Sequence, residues 1–145
     1  MVYEINQLVN DALYYKDVKK DFDIALKYAY TAAICTFSPR ADVCCTIGEI
    51  YLSKGNLEWA KFWYERAVNN TNTAIDEQSV DEDYFTTRPF LKLGYITYNL
   101  GDDASAEQYY RAVLMYHPDN EIAQNSLSVI EAKKTSSTEE ENSQN

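Results

Sequence analysis

The four glycines of this chain fall into two pairs with the same internal spacing, Gly48 with Gly55 and Gly94 with Gly101. The second pair repeats the first after 46 residues, and the surrounding words agree. IGEIYLSKGNLEWAKFWYERAV runs from Ile47 to Val68, and LGYITYNLGDDASAEQYYRAV from Leu93 to Val113; Ala60 matches Ala106, and Tyr64 matches Tyr110. A fixed internal period restricts the chain to an architecture in which similar small units stack on their neighbours. The first glycine of each pair falls inside a stretch with helical apolar spacing. Glycine there costs about 1 kcal/mol relative to alanine, so its use lies in letting another helix approach closely. Ala60 and Ala106 are the small residues expected on the facing helix. The second glycine ends the periodic stretch and is followed by Asn56 or Asp102, the order of a helix C-terminus and then an N-cap.

These residues resemble the tetratricopeptide repeat, whose pattern is W-x2-L-G-x2-Y, then A-x3-F, then P, over about 34 residues. The middle copy reads Cys44, Ile47, Gly48, Tyr51, then Ala60, Tyr64 and Ala67. The third reads Phe90, Leu93, Gly94, then Ala106, Tyr110 and Pro118, and departs from the pattern at Thr97, beside Tyr98. A degenerate first copy places Ala25 and Ala29 where Ala60 and Tyr64 stand, and its first helix lacks the glycine. The resemblance implies an all-α solenoid with a right-handed superhelical twist, built from about three helix-turn-helix repeats and a C-terminal capping helix.

The helix pairs are expected at about Tyr3–Val18 with Asp21–Thr36, Arg40–Lys54 with Leu57–Asn72, and Arg88–Leu100 with Asp103–Tyr116. The repeats then span about 3–38, 40–74 and 87–119 of one domain over 1–134, with an acidic insertion at 75–86 and a capping helix at 120–134. Ser79 and Glu82 have capping-box spacing, so a helix could start in the insertion. Beyond Lys134 the run TSSTEEENSQN has no apolar residue, and 135–145 reads as a disordered tail.

Charge removes several function classes. At −10 the chain opposes nucleic-acid backbones and anionic membranes, both of which need clustered cations. No run approaches the ~20 apolar residues of a membrane span. The opening MVYEINQLVNDALYY lacks the basic front and apolar run of a signal peptide. Cys35, Cys44 and Cys45 form no disulfide framework, and adjacent cysteines on a helix point about 100° apart, too divergent to share a metal easily. A cytoplasmic location is the expectation. His117 has no ligand or catalytic partner at useful spacing, the glycines cradle no phosphate, and no nucleophile motif is present. No catalytic set, metal site or cofactor is therefore expected.

What remains is binding. The first helices of such repeats line a concave face. Helical spacing sets Gln7, Asn10 and Tyr14 on the first stripe, Asp42, Cys45, Glu49 and Leu52 on the second, and Arg88, Leu91, Tyr95, Tyr98 and Asn99 on the third. Tyr14, Glu49, Arg88, Leu91, Tyr95, Tyr98 and Asn99 are the candidate contacts, because aromatics beside fixed polar groups suit a peptide groove. The Lys and Asn of a chaperone-tail carboxylate clamp are missing, with Asn10, Tyr14 and Thr46 in their places.

A narrower resemblance is carried by SPRADVCCTIGEIYLSKGNLEWAKFWYERAV at Ser38–Val68, the insertion residues Asp81–Phe85, Pro89–Leu93 and YHPDN at Tyr116–Asn120. Together they are similar to the C-terminal repeat segment of bacterial family 2-type glycosyltransferases. That resemblance implies an accessory region, part of a longer enzyme or beside one, whose partner is a glycosyltransferase catalytic domain or acceptor. The alternative is a free-standing adaptor that binds a peptide segment of another protein.

Overall fold

The computed structural model describes residues 2–36, 39–69, 82–84 and 86–143. These form seven α-helices and one 3-10 turn, with no strand among the described residues. The helices are α1 (Val2–Asp17), α2 (Phe22–Ile34), α3 (Ala41–Ser53), α4 (Leu57–Asn69), α5 (Thr87–Asn99), α6 (Asp103–Tyr116) and α7 (Glu121–Ser143). The 3-10 turn covers Glu82–Tyr84 and precedes α5. The sequence reads as one domain over 1–134, whereas the fold gathers into two compact units, Met1–Pro89 and Phe90–Asn145. The division falls in the first turn of α5, and a repeat stack is held by neighbour contacts alone.

Local chemistry sets the helix ends. Asp21, Asn56, Asp102 and Asn120 each accept, through a side-chain oxygen, the backbone N–H three residues on, at 3.0–3.2 Å. These bonds satisfy amides that the first turn leaves without partners. Gly55 and Gly101 close the preceding helices with φ of +79° and +86°. The Asn56 N–H reaches back to the Tyr51 carbonyl and the Asp102 N–H to that of Thr97, both at 2.9 Å, while the glycine N–H bonds three residues back. This is the double bond pattern of a left-handed helix stop. The first hairpin does the same work with Lys20 at φ 55°, a strained choice for a residue with a Cβ.

In the first unit α2 buries a row of alanines, Ala25, Ala29, Ala32 and Ala33, and α3 is buried along nearly its whole length. Ile5, Ile47 and Ile50 are almost fully enclosed, each contributing roughly 1.5–3 kcal/mol by burial. Two polar ties join α1 to α3. Arg40 forks onto Asp42, at 3.0 Å and 2.6 Å, and also donates to Asn6 at 2.8 Å. Lys16, only 8% exposed, bridges Asp17 at 2.6 Å and Glu49 at 3.2 Å. Breaking a buried pair of this kind from one side leaves an uncompensated charge.

In the second unit Ala106, Tyr110, Val113, Ala123, Leu127 and Ile130 form the core, with Phe90, Leu91, Tyr98 and Leu114 packed against it. The capping helix runs past the expected Lys134 to Ser143. Its last turns carry no apolar residue, but extending a helix already nucleated by packing requires propagation only. Lys133 pairs with Asp103 at 2.9 Å, and Lys134 with Glu107, at the point where packing ends. Thr135, Ser136, Ser137 and Thr138 each donate a hydroxyl to the carbonyl four residues back. The expected insertion at 75–86 and the Ser79–Glu82 capping box lie mostly outside the described residues.

Candidate functional site

Glycine and tyrosine pack the two helices of each matched repeat together. A Cβ placed on Gly94 would meet the Tyr110 ring at 2.7–2.9 Å, and one on Gly48 would meet the Tyr64 ring at 2.9–3.1 Å. Each tyrosine from the second helix of a repeat therefore lies directly on the glycine of the first. The repeat pattern has phenylalanine at this position, so the tyrosine adds a hydroxyl that must find a polar neighbour. The Tyr110 hydroxyl bonds with Ser126 of α7; burial pushes its phenol up, against the opposing effect of that bond. The Tyr64 phenol is pushed far up by burial, and Glu49 and Arg88 both act on it electrostatically.

The second unit holds a cavity of about 290 Å³ lined by Tyr95, Tyr98, Asn99, Tyr110, Ser126, Val129 and Ile130. Its walls are mainly apolar. Tyr95 is 51% exposed and forms part of the rim. Asn99 donates its side-chain amide to the Tyr95 carbonyl at 2.7 Å. The Lys133 ammonium sits 5.3 Å from the Tyr98 ring centre and is held by Asp103.

Of the sequence candidates, Tyr95, Tyr98 and Asn99 come together here. Leu91 packs partly against the core. Tyr14, Glu49 and Arg88 belong to the first unit. There Tyr14 is exposed beside Tyr15, Glu49 is engaged by Lys16, and Arg88 pairs with Asp83 at 3.1 Å. Sequence reasoning missed Ser126, Val129 and Ile130 as lining residues and took Tyr110 for repeat scaffolding alone. The available signals were the tyrosine in a phenylalanine position and the exposed Val129 on a helix whose buried face was already complete.

The comparisons with known proteins agree with the helical-repeat fold. The tetratricopeptide repeat family model matches residues 41–72 and 87–120. The chain carries tetratricopeptide repeats. The matched repeats are α3 with α4 and α5 with α6, and α1 with α2 is a further helical hairpin before them. Among solved structures, the second TPR domain of the human RPAP3 protein, determined by NMR in complex with the HSP70 peptide SGPTIEEVD, is similar at a TM-score of 0.66 and 18% identity. The match covers 89% of this chain and 93% of that one, and it shows the fold. No curated protein matches the sequence. Among the described residues no cluster of His, Cys, Asp or Glu could hold a metal, and no helix is long and apolar enough to cross a membrane. The three cysteines are free thiols, and burial pushes Cys44 up to about 12 and Cys45 well above its ordinary range. Thiols held neutral in this way are poor nucleophiles.

Proposed function

We propose that this chain is a protein-interaction module that captures a peptide segment of another protein, with the cavity between α5, α6 and α7 taking one large apolar side chain. The observation that carries this reading is the cavity itself. Its volume of about 290 Å³ is at the lower edge of the roughly 300–1,000 Å³ typical of small-molecule sites. Its lining combines three tyrosines and two aliphatic residues with a few fixed polar groups, the composition of an anchor pocket. The fold neighbour from RPAP3 was solved with a peptide bound, which supports peptide capture as the use of such a surface.

The finer reading is that the module serves a bacterial glycosyltransferase in the cytoplasm, holding its catalytic domain or acceptor. It is supported by the sequence words at Ser38–Val68, Asp81–Leu93 and Tyr116–Asn120 and by the free thiols. On that reading the module alone binds no nucleotide sugar, and calorimetric titration with one gives no heat.

The test of the cavity is fluorescence-polarisation titration against peptides that differ in one apolar side chain. Affinity is expected to follow the size of that side chain, and Tyr95→Ala with Tyr98→Ala is expected to weaken it at least ten-fold while helicity is retained. Undiminished binding by that variant would move the site elsewhere.

A further inference from the structure

The corresponding face of the middle repeat already holds a segment of its own chain. The 3-10 turn before α5 lies against α3, touched by Cys45 of α3 and by Arg88, which stands four residues beyond Tyr84 in the first turn of α5. Cys45 Sγ donates to the Tyr84 carbonyl oxygen at 3.1 Å. Arg88 Nε donates to Asp83 Oδ2 at 3.1 Å. The Arg88 guanidinium lies 4.3 Å from the centre of the Tyr84 ring. A carboxylate, the aromatic ring next to it and a main-chain carbonyl are thus read together. Arginine suits the task because its planar cation can bond a carboxylate and stack on an aromatic face. Cys45 and Glu49 stand one turn apart on α3, on the stripe that the repeat pattern assigns to ligands.

We infer that Asp83–Tyr84 is an intramolecular ligand of this face, and that the face takes from a partner protein a peptide in which an acidic residue is followed directly by an aromatic one. The contacts suit exchange. The side chains of Arg88 and Asp83 are 46% and 36% exposed, and ion pairs at such positions are individually weak. The turn holds its place through its tether, since a covalently linked segment competes at an effective concentration on the order of mM. A partner must therefore bind more tightly than the turn or be presented at high local concentration. The Cys45 thiol, kept protonated by burial, serves as a hydrogen-bond donor to either occupant. None of these residues lines the cavity of the second unit, so the inference stands apart from the function proposed above.

The probe is a fluorescein-labelled peptide Asp-Glu-Asp-Tyr-Phe, the chain's own 81–85 run supplied in trans, titrated against the full chain by fluorescence polarisation. The variant Asp83→Ala with Tyr84→Ala, checked for helicity by circular dichroism, is expected to bind it at least ten-fold more tightly than the unmodified chain. Adding Arg88→Ala is expected to abolish the gain, and a scrambled peptide to bind neither form. Should the double variant lose helicity, Asp83→Asn alone is expected to give a smaller gain in the same direction. Equal affinity for the unmodified and opened chains, or binding indifferent to Arg88, overturns the inference. Tyr95→Ala with Tyr98→Ala leaves this titration unchanged, which separates its outcome from that of the cavity test.

Discussion

The middle and third repeats share a scaffold and differ in what stands on it. Both place a tyrosine ring on a mid-helix glycine, Tyr64 on Gly48 and Tyr110 on Gly94, and both end their first helix on a positive-φ glycine. In the third repeat the tyrosine hydroxyl bonds with Ser126, and both residues line a cavity. In the middle repeat the hydroxyl lies under the influence of Glu49 and Arg88, which are engaged by Lys16 and by Asp83 with Tyr84. The same packing solution thus stands beside an apolar-lined cavity in one repeat and beside a polar cluster of Glu49, Arg88 and Asp83 in the other. The repeat signature determines the frame, and residues outside the signature determine its use.

The sharpest way to break that comparison is to fill the glycine positions. Gly48→Leu and Gly94→Leu each drive a side chain into a buried tyrosine ring, and overpacking of this kind typically costs about 1–3 kcal/mol. Both are expected to lower the melting midpoint by several degrees. Only Gly94→Leu displaces Tyr110 and abolishes peptide capture at the cavity. Both tryptophans, Trp59 and Trp63, are in the first unit, so tryptophan fluorescence follows the Gly48→Leu defect, while circular dichroism reads both. A midpoint unchanged by Gly94→Leu would mean that Tyr110 is free to move away and that the shared-scaffold argument fails there.

A smaller change isolates the hydroxyls. Tyr110→Phe and Tyr64→Phe keep the rings on their glycines; Tyr110→Phe, which loses the bond to Ser126, is expected to cost about 0.5–1.5 kcal/mol, the usual net worth of a hydrogen bond, and Tyr64→Phe less. Their functional effects should diverge. Tyr110→Phe removes the bond to Ser126 beside the cavity and weakens peptide binding several-fold, whereas Tyr64→Phe leaves that binding unchanged. Equal effects on the cavity ligand would show that the hydroxyls serve packing rather than recognition.

Most of the frame was legible because it depends on short-range rules. The Gly55–Asn56 and Gly101–Asp102 stops, the alanine row of α2 and the repeat offset all follow from neighbours within a turn or two. The site was only half legible. Tyr95, Tyr98 and Asn99 share a helix face that periodicity exposes. Ser126 and Val129 join them only through the packing of α7, which a single helix pattern does not reveal. Arg88 and Glu49 were correctly placed on their helices, but spacing carries no information about long-range partners such as Lys16. The tail is a related case: its composition argues for disorder from 135, whereas the helix continues to Ser143 beyond Lys133 and Lys134, which pair with Asp103 and Glu107 on another helix.

That last contact gives the smallest expected effect and separates the two ends of the working pH range. Glu107 is held below the ordinary glutamate range by its bonds to Lys134 and then Arg111. A carboxyl depressed in the folded state contributes stability above its unfolded value, about pH 4.3, and loses it as pH falls through the depressed value. Lys133 is raised by its bond to Asp103, so its contribution is present below the ordinary lysine range and fades only as pH rises through the raised value. The staple between α6 and α7 should therefore be intact across neutral pH and fail first on the acid side. Lys133 and Lys134 are exposed and Glu107 is half-buried, so salt weakens the effect in part. The measurement is the difference in helical ellipticity between the unmodified chain and Lys134→Ala as pH is lowered. It is expected to be small and constant near neutrality and to vanish once Glu107 is protonated in both. A difference that persists at about pH 3, well below the unfolded value, would mean that Lys134 supports the tail helix through packing of its aliphatic stem rather than through its charge.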